Sequence, residues 1–207
     1  MKLYYGPGLC SLAPHIVFRE AGLDVSLEKV DDGNKITESG ANYLLVNPLG
    51  YVPALEIQPG LVLTEGPAIM QYLADLAPAA GLAPANGTLE RYQFQSWLNF
   101  ITSEIHKTYS ALFKPLPAEA KTVLKELLGK RLDHVERHLT QHDYLMRSGF
   151  SSADAYLYVT TSWSVFVGID LQKWPALQKY RARVEARPAV QAALKAEGLL
   201  KQAAAAA

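Results

Sequence analysis

The stretch YYGPGLCSLAPHI near the start of the chain contains Cys10, the only cysteine among the 207 residues. Cys10 follows a short apolar run and a Gly-Pro-Gly turn, and it precedes a segment with helical apolar spacing. The unpaired N–H groups and the dipole at a helix start favour a thiolate and lower the pKa of such cysteines from about 8.5 toward ~4–7. A small, inert core residue explains the same position, so spacing alone leaves the role of Cys10 open.

Any redox chemistry of this thiol requires a partner from outside the chain. The residue three positions after Cys10 is Ala13, so the chain has no resolving thiol of the Cys-x-x-Cys kind. Disulfide exchange would therefore pass through a mixed disulfide with an external thiol. A single cysteine also excludes an internal disulfide framework and a multi-thiolate zinc site within one chain.

A second group of reactive side chains lies on the helix predicted from Leu89 onward. Four polar residues fall at i, i+4, i+8 and i+11 and so share one helical face: Gln95, Asn99, Ser103 and His106. Five apolar residues form the opposite stripe: Phe94, Leu98, Ile101, Ile105 and Leu112. The polar face offers donors and acceptors to a cleft between two domains, and an ordinary solvated face is the alternative.

Two further short segments have the chemistry of a binding site. The sequence Thr64-Glu65-Gly66-Pro67 joins a predicted strand to a predicted helix, whose free N–H groups suit an anion. A carboxylate one residue earlier suits an amine, so an amino-acid head group fits this place, and simple helix capping is the alternative. Val52-Pro53 is a bond of the type that can be cis, which would turn the Val52 backbone toward a ligand.

Other polar residues have structural explanations. Ser151 and Asp154 fit the N-cap and N3 positions of a capping box. Three histidines are spaced by four residues on one predicted helix, but no carboxylate completes a metal site, and we expect a solvated face: His134, His138 and His142. We expect no metal, and we expect His15 to be packed or capping rather than catalytic.

The elements that must position these residues divide into two kinds. Residues 1–80 alternate short strands and helices, with strands at Lys2–Tyr5, Val25–Val30, Pro53–Ile57 and Leu61–Thr64 and helices at Leu12–Ala21 and Gly66–Leu76. Residues 77–87 are rich in Ala, Pro and Gly, and within them 81–87 are predicted to form the linker between the two domains. Residues 88–201 carry only helical patterns, at Leu89–Phe113, Ala118–Gln141, Ser152–Val167, Pro175–Glu185 and Pro188–Glu197, and 202–207 form a tail. Ile36–Tyr43 is ambiguous.

Composition narrows the class of protein. Hydrophobic residues make up 49% of the chain and charged residues 19%, which is typical of a packed globular protein. The formal net charge is zero, so no basic surface for nucleic acid or anionic membrane is indicated. The apolar runs are too short to span a bilayer, and the first residues do not form a signal peptide. We therefore expect a cytoplasmic protein without nucleic-acid or membrane partners.

Together these segments resemble the bacterial beta-class glutathione S-transferases over essentially the full chain. The resemblance is carried by MKLYYGPGLCSLAPHI, VNPLGYVPAL, LTEGPAIMQYLAD, WLNFITSEIHK and FSSADAYLYV, in this order and spacing. It implies an α/β plus all-α architecture, with a thioredoxin-like N-terminal domain followed by a helical C-terminal domain. It also implies a homodimer and glutathione as co-substrate.

The resemblance further implies a glutathione site formed by Tyr5, Cys10, Ser11, Lys35, Val52, Pro53, Glu65, Gly66, Asn99, Ser103 and His106. In this site Cys10 contacts the glutathione sulfur, and Val52 pairs its backbone with the cysteinyl part. Glu65 and Gly66 hold the γ-glutamyl head, and Lys35 reaches the glycyl end. Pro53 matches the cis-proline of the family.

Cys10 and His106 are the expected catalytic residues, and Tyr5 and Ser11 are expected to support the site. Three aromatic residues are candidates to line an apolar electrophile site, although core packing explains each of them equally well: Tyr109, Phe113 and Trp163.

Three functional hypotheses follow. In the first, glutathione thiolate attacks a small hydrophobic electrophile, which makes the protein a glutathione transferase. In the second, Cys10 carries out glutathione-dependent disulfide exchange as a thiol-transferase side activity. The third hypothesis is not an enzyme: it is a non-catalytic ligand-binding or redox-sensing protein of the same fold.

Overall fold

A computed structural model describes residues 1–200, and the predicted tail 202–207 lies outside the described residues. The chain forms two compact units. One contains Met1–Ala80 together with the described residues from Ala186 onward, and the other contains Gly81–Glu185. The last helix is therefore part of the first unit, whereas the sequence analysis assigned it to a helical domain that runs from 88 to 201.

The first unit is built on a five-stranded sheet in the order β3-β2-β1-β4-β5. Its strands are β1 (Lys2–Tyr5), β2 (Ser26–Asp31), β3 (Ile36–Thr37), β4 (Ala54–Gln58) and β5 (Leu61–Thr64). β1 pairs in parallel with β2, and β1–β4, β4–β5 and β2–β3 pair antiparallel. This mixed sheet confirms the predicted thioredoxin-like domain.

Three helices of this unit are α1 (Leu12–Glu20), α2 (Gly66–Leu76) and α9 (Pro188–Ala196). α1 contacts both α2 and α9. It buries every residue from Leu12 to Phe18, because neighbours cover more than one of its faces. The ambiguous segment Ile36–Tyr43 forms the two-residue strand β3 and leads into a 3-10 turn at Tyr43–Leu45.

The second unit is helical. It contains α3 (Leu89–Phe100), α4 (Lys107–Leu112), α5 (Ala118–Leu139), α6 (Ser152–Ser162), α7 (Ser164–Val167) and α8 (Pro175–Glu185). α6 is central, since its residues from Ser152 to Thr161 are all buried. α5 runs without interruption through Gly129. The predicted helix Ser152–Val167 is divided at Trp163 into α6 and α7.

One π-helical turn, Ile101–His106, interrupts the helix predicted over Leu89–Phe113. The predicted apolar stripe from Phe94 to Leu112 is nevertheless fully buried. A π turn has i→i+5 hydrogen bonds and so holds more residues per turn than an α-helix. His106 is the last residue of this turn and is half-buried.

The capping box at the start of α6 is confirmed. The Asp154 carboxylate accepts hydrogen bonds from the Ser151 N–H at 2.8 Å and from the Leu145 N–H at 2.9 Å. Burial is complete and raises the pKa of Asp154 to about 6 despite these bonds. The buried acid thus joins the loop before α6 to the first turn of the helix.

No helix among the described residues is both long and apolar enough to cross a membrane.

Candidate active site

Cys10 lies two residues before α1, half-buried, and its thiol faces a backbone carbonyl. The Sγ–H donates to the Val52 carbonyl oxygen at 3.1 Å. The first two N–H groups of α1 are already bonded within the turn, Leu12 to Leu9 at 3.0 Å and Ala13 to the Cys10 carbonyl at 3.1 Å. In this structure, therefore, these two helix-start groups do not stabilise the sulfur, contrary to the simple expectation from sequence.

The turn that presents Cys10 is held by Ser11. The Ser11 hydroxyl accepts from the Gly6 N–H at 3.1 Å and donates to the Gly6 carbonyl at 3.2 Å, and the residue is fully buried. Tyr5 is also buried, and desolvation, followed by the negative charges of Glu38 and Glu197, raises its pKa. Both residues are buried in the unit that contains Cys10, and their supporting role at the site stays a prediction.

A buried acid from the C-terminal end of the chain reaches the same turn. The Glu197 carboxylate lies 2.8 Å from Nδ1 of His15 and accepts a 2.9 Å hydrogen bond from the Gly8 N–H. The His15 and Glu197 side chains are both fully buried. His15 is therefore a packed structural residue, as expected. Sequence alone did not reveal Glu197, because the partners are 182 positions apart.

The Val52-Pro53 bond is cis, which confirms the expectation from the resemblance. The preceding loop is held by two hydrogen bonds to the Tyr51 carbonyl, from the Tyr43 hydroxyl and from the Asn47 side-chain amide, both at 2.7 Å. The start of α2 is close to the proline: a Cβ on Gly66 would lie 3.8 Å from Cγ of Pro53. Pro53 thus links the β4 strand to the helix start that follows Glu65.

Glu65 occupies an unusual backbone conformation at the start of α2. Its φ is +66° and its ψ is 110°, a backbone conformation that residues other than glycine rarely adopt. The residue is exposed, and its carboxylate makes no capping hydrogen bond to the helix. The capping alternative is therefore wrong for Glu65. Such strain is concentrated at binding sites, where the surrounding structure maintains it.

Lys35 is the second non-glycine residue with positive φ, at +55°, in the part of the chain described. Its ammonium lies 2.5 Å from Asp32 Oδ1. A Cβ on Gly50 would lie 3.2 Å from Lys35 Cε, so the lysine stem passes close to this glycine. To bind a ligand carboxylate, the Lys35 ammonium must therefore either break its ion pair with Asp32 or contact both carboxylates at once.

In the helical unit, His106 packs among aromatic residues. Its Nδ1 lies 2.6 Å from the Tyr156 hydroxyl, and its ring centroid lies 5.0 Å from that of Trp163. Burial, followed by the positive charge of Lys107, lowers the pKa of His106 to about 4. The imidazole is consequently neutral at physiological pH. Tyr156 was not predicted, because nothing in the sequence pairs it with a residue 50 positions away.

Asn99 and Ser103 are exposed on the same stretch of helix. The Ser103 hydroxyl donates to the Asn99 carbonyl at 2.9 Å, so one of its hydrogen-bonding groups is used within the helix. The amide of Asn99 projects from the last turn of α3, immediately before the π turn.

The predicted apolar residues differ in exposure. Tyr109 is fully buried, and its hydroxyl lies 2.5 Å from that of Ser164, so it belongs to the core rather than to a binding surface. Trp163 is 7% exposed and Phe113 is 50% exposed. Val165 and Phe166 on α7 are each 75% exposed and were not predicted. The signal that would have revealed them is an apolar run at the end of a helix.

The three spaced histidines lie on a surface face of α5 and the turn after it, where His134 is exposed and His138 and His142 are half-buried. The His138 and His142 rings are stacked, with centroids 4.4 Å apart, and His134 packs against Trp97 and Phe100. Their neighbours also have structural roles: Asp133 accepts from the Trp174 indole, and Glu136 accepts from two N–H groups of α8. Among residues 1–200, no group of three or more His, Cys, Asp or Glu is arranged to hold a metal.

Comparison with known proteins identifies the family of the chain. Residues 1–75 match the family described as glutathione S-transferase, N-terminal domain, and residues 100–188 match glutathione S-transferase, C-terminal domain. The chain is 43% identical to glutathione S-transferase GstA of Escherichia coli O157:H7, over 96% of this chain and all of that protein.

Two solved structures are similar throughout. A sphingomonad glutathione S-transferase complexed with glutathione is 49% identical, with a TM-score of 0.93, over 97% of this chain and all of that one. A beta-class glutathione S-transferase of Sphingomonas chungbukensis is 46% identical, also with a TM-score of 0.93 and the same coverage. The chain therefore belongs to the glutathione S-transferase family, and its resemblance to bacterial beta-class members is confirmed.

Proposed function

We propose that this transferase conjugates the thiol of glutathione to small hydrophobic electrophiles. The observation that carries the proposal is the strained, exposed Glu65 beside cis-Pro53, at a helix start in the same unit as Cys10. A γ-glutamyl head group has an ammonium for the Glu65 carboxylate and a carboxylate for the N–H groups of α2. The sphingomonad relative, which was solved with glutathione, supports this ligand.

The remaining residues have the roles that family membership implies. The Val52 backbone pairs with the cysteinyl part of glutathione, and Lys35 binds the glycyl carboxylate. The side chains of Asn99, Ser103 and His106 contribute from the helical unit. The glutathione thiolate forms a bond to an electrophilic carbon, the leaving group departs with the bonding electron pair, and the thiol proton passes to solvent.

We expect an apolar electrophile, because one of the predicted candidates, Phe113, and two residues of α7 are exposed apolar side chains. Phe113, Val165 and Phe166 present aromatic and aliphatic surface next to Trp163 in sequence or in space. Exposed apolar surface of this kind binds hydrophobic ligands. Flat aromatic compounds with a leaving group are accordingly the substrates to test first.

Disulfide exchange is the second candidate, and the half-buried, single thiol of Cys10 supports it. The Cys10 thiolate would attack a glutathionylated substrate and release the substrate thiol. A second glutathione thiolate would then attack the Cys10–glutathione disulfide, which forms oxidised glutathione and restores Cys10. A protein that binds ligands without turnover is the remaining alternative.

We also propose a homodimer and a cytoplasmic location, as is typical of the family. Light scattering with size separation gives the mass in solution, and fractionation of native cells gives the location. A monomer or a secreted protein would contradict these two proposals without affecting the proposed chemistry.

Calorimetry with glutathione, followed by conjugation assays with a panel of aromatic electrophiles, tests the main proposal. We expect saturable binding and thioether products. Wild type and Cys10→Ala are then compared in conjugation and in reduction of a glutathionylated peptide. Disulfide reduction that disappears in Cys10→Ala supports exchange. Binding without any product supports the non-catalytic alternative, and absence of glutathione binding would refute the proposal.

A further inference from the structure

We propose that Tyr156 is a positioning residue, which fixes the His106 ring so that Nε2–H is the hydrogen-bond donor available to the glutathione sulfur. This inference rests on the proposed function, because it takes His106 to act on glutathione. Tyr156 itself is not required to touch the substrate.

The geometry holds the His106 ring through two kinds of contact. Tyr156 lies on α6, is 3% exposed, and places its hydroxyl 2.6 Å from Nδ1 of His106. The two rings meet edge to face, with centroids 5.7 Å apart and an interplanar angle of 85°. Trp163 contacts the imidazole as well, at 5.0 Å between centroids and 60° between planes. The ring is thus restrained by two aromatic neighbours and by a bond to one nitrogen.

The direction of that hydrogen bond follows from chemistry. A phenol is a stronger acid than a neutral imidazole N–H, and an imidazole nitrogen is a better acceptor than a phenol oxygen. The Tyr156 hydroxyl therefore donates, and Nδ1 accepts. A neutral imidazole carries one hydrogen, so that hydrogen resides on Nε2. The lowered pKa of His106, about 4, agrees with a neutral ring.

The selected tautomer suits a thiolate. A hydrogen bond donated to a charged group favours its charged form, so Nε2–H lowers the thiol pKa of bound glutathione. A ring turned the other way, or protonated on Nδ1, would present a lone pair to the same sulfur and repel it. His106 also does not compete for the thiol proton, because its own pKa lies well below neutrality. The pair thus promotes thiolate formation without acting as a base.

The test combines Tyr156→Phe with a matched control, Tyr158→Phe. Tyr158 lies two residues further along α6, is 4% exposed, and donates its hydroxyl to Glu185 at 3.0 Å. Both variants remove one buried hydroxyl from the same helix, but only the first removes the bond to His106. Nitrogen chemical shifts of 15N-labelled histidine report the tautomer, and loss of a signal in His106→Gln identifies His106 among the five histidines.

We expect wild-type His106 to show a protonated Nε2 and a hydrogen-bonded, unprotonated Nδ1 from pH 6 to 8. In Tyr156→Phe the Nδ1 shift should lose its hydrogen-bonded character. The kcat for conjugation should fall about 10-fold, as when an outer partner of a functional histidine is removed, with little change in glutathione affinity. Tyr158→Phe should leave both the spectrum and kcat unchanged.

Three outcomes would overturn the inference. They are a wild-type proton on Nδ1, an unchanged Nδ1 shift and kcat in a folded Tyr156→Phe, or an equal loss of kcat in Tyr158→Phe. If Tyr156→Phe does not fold, the inference is tested by the wild-type spectrum and by the kcat of His106→Gln. An unchanged kcat in His106→Gln would refute a role of His106 in conjugation, and with it the positioning role of Tyr156. A wild type that fails to bind glutathione in calorimetry refutes the proposed function itself, and that result is independent of the tautomer.

Discussion

The Cys10 thiol donates a hydrogen bond to the Val52 carbonyl, at 3.1 Å, immediately before the cis bond to Pro53. This bond exists only while the sulfur carries its proton. The carbonyl is also part of the backbone that is proposed to pair with the cysteinyl unit of glutathione. The lone thiol and the proposed ligand therefore meet at the same peptide group.

Substitution at Cys10 should separate the covalent role of the thiol from its structural role. We expect an adduct with oxidised glutathione in wild type but not in Cys10→Ser or Cys10→Ala, as measured by intact mass. Cys10→Ala loses the bond to Val52 and should lower the free energy of unfolding by about 0.5–1.5 kcal/mol, whereas Cys10→Ser retains a donor. Equal destabilisation of the two variants, measured in urea, would contradict a structural role for this bond.

Replacing Glu65 by glycine should have opposite effects on the stability of the protein and on its affinity for glutathione. Glycine tolerates φ of +66° without the strain, about 1–3 kcal/mol, that this region imposes on other residues. Glu65→Gly should therefore be at least as stable as wild type in urea denaturation, and more stable than Glu65→Ala. Both variants should bind glutathione at least 10-fold more weakly by calorimetry, since a charged hydrogen bond is worth about 1.5–3 kcal/mol.

The exposed residue Glu126, in the middle of α5, provides the control for Glu65, and Glu126→Ala should change neither quantity. A Glu65→Gly variant that loses stability while it retains affinity would contradict both parts of the argument.

Glu197 should contribute strongly to stability, although it lies near the end of the described chain. Glu197→Ala removes the buried carboxylate that pairs with His15 and accepts from the Gly8 N–H, and we expect a loss of about 3 kcal/mol in the free energy of unfolding. The turn that presents Cys10 should loosen as well, which faster alkylation of the thiol would report. Lys195→Ala, on the exposed side of α9, is the control, and a loss as large as that of Glu197→Ala would refute the explanation.

Asp154 should give stability an unusual dependence on pH. Its folded pKa of about 6 lies above its ordinary value of 3.8, so the folded chain binds this proton more tightly than the unfolded chain. Between these values the contribution of Asp154 to stability falls as pH rises, by about 1.4 kcal/mol for each pH unit. Relative to Asp154→Asn, wild type should therefore lose stability from pH 4 to pH 6 in urea titrations.

Asp154→Asn should itself be less stable at pH 4, because an amide cannot accept from both the Ser151 and the Leu145 N–H groups as the acid does. A stability difference between the two proteins that is constant from pH 4 to pH 6 would contradict the raised pKa.

The local elements could largely be predicted because their patterns are local. The strand at Lys2–Tyr5 and the helix at Gly66–Leu76 form with the predicted bounds, and the Ser151–Asp154 capping box needs only four consecutive residues. The π turn at Ile101–His106 could not be predicted, because a uniform period describes the same apolar stripe.

By itself the sequence determined the order of strands and helices, the single thiol before α1 and the family to which the chain belongs, since all three depend on residue order and spacing. Only the tertiary structure decided that Cys10 bonds to Val52, that Glu197 meets His15, and that Tyr156 meets His106. These pairs are 42, 182 and 50 positions apart. No local pattern encodes them, because they form only when packing brings distant buried polar groups within hydrogen-bond distance.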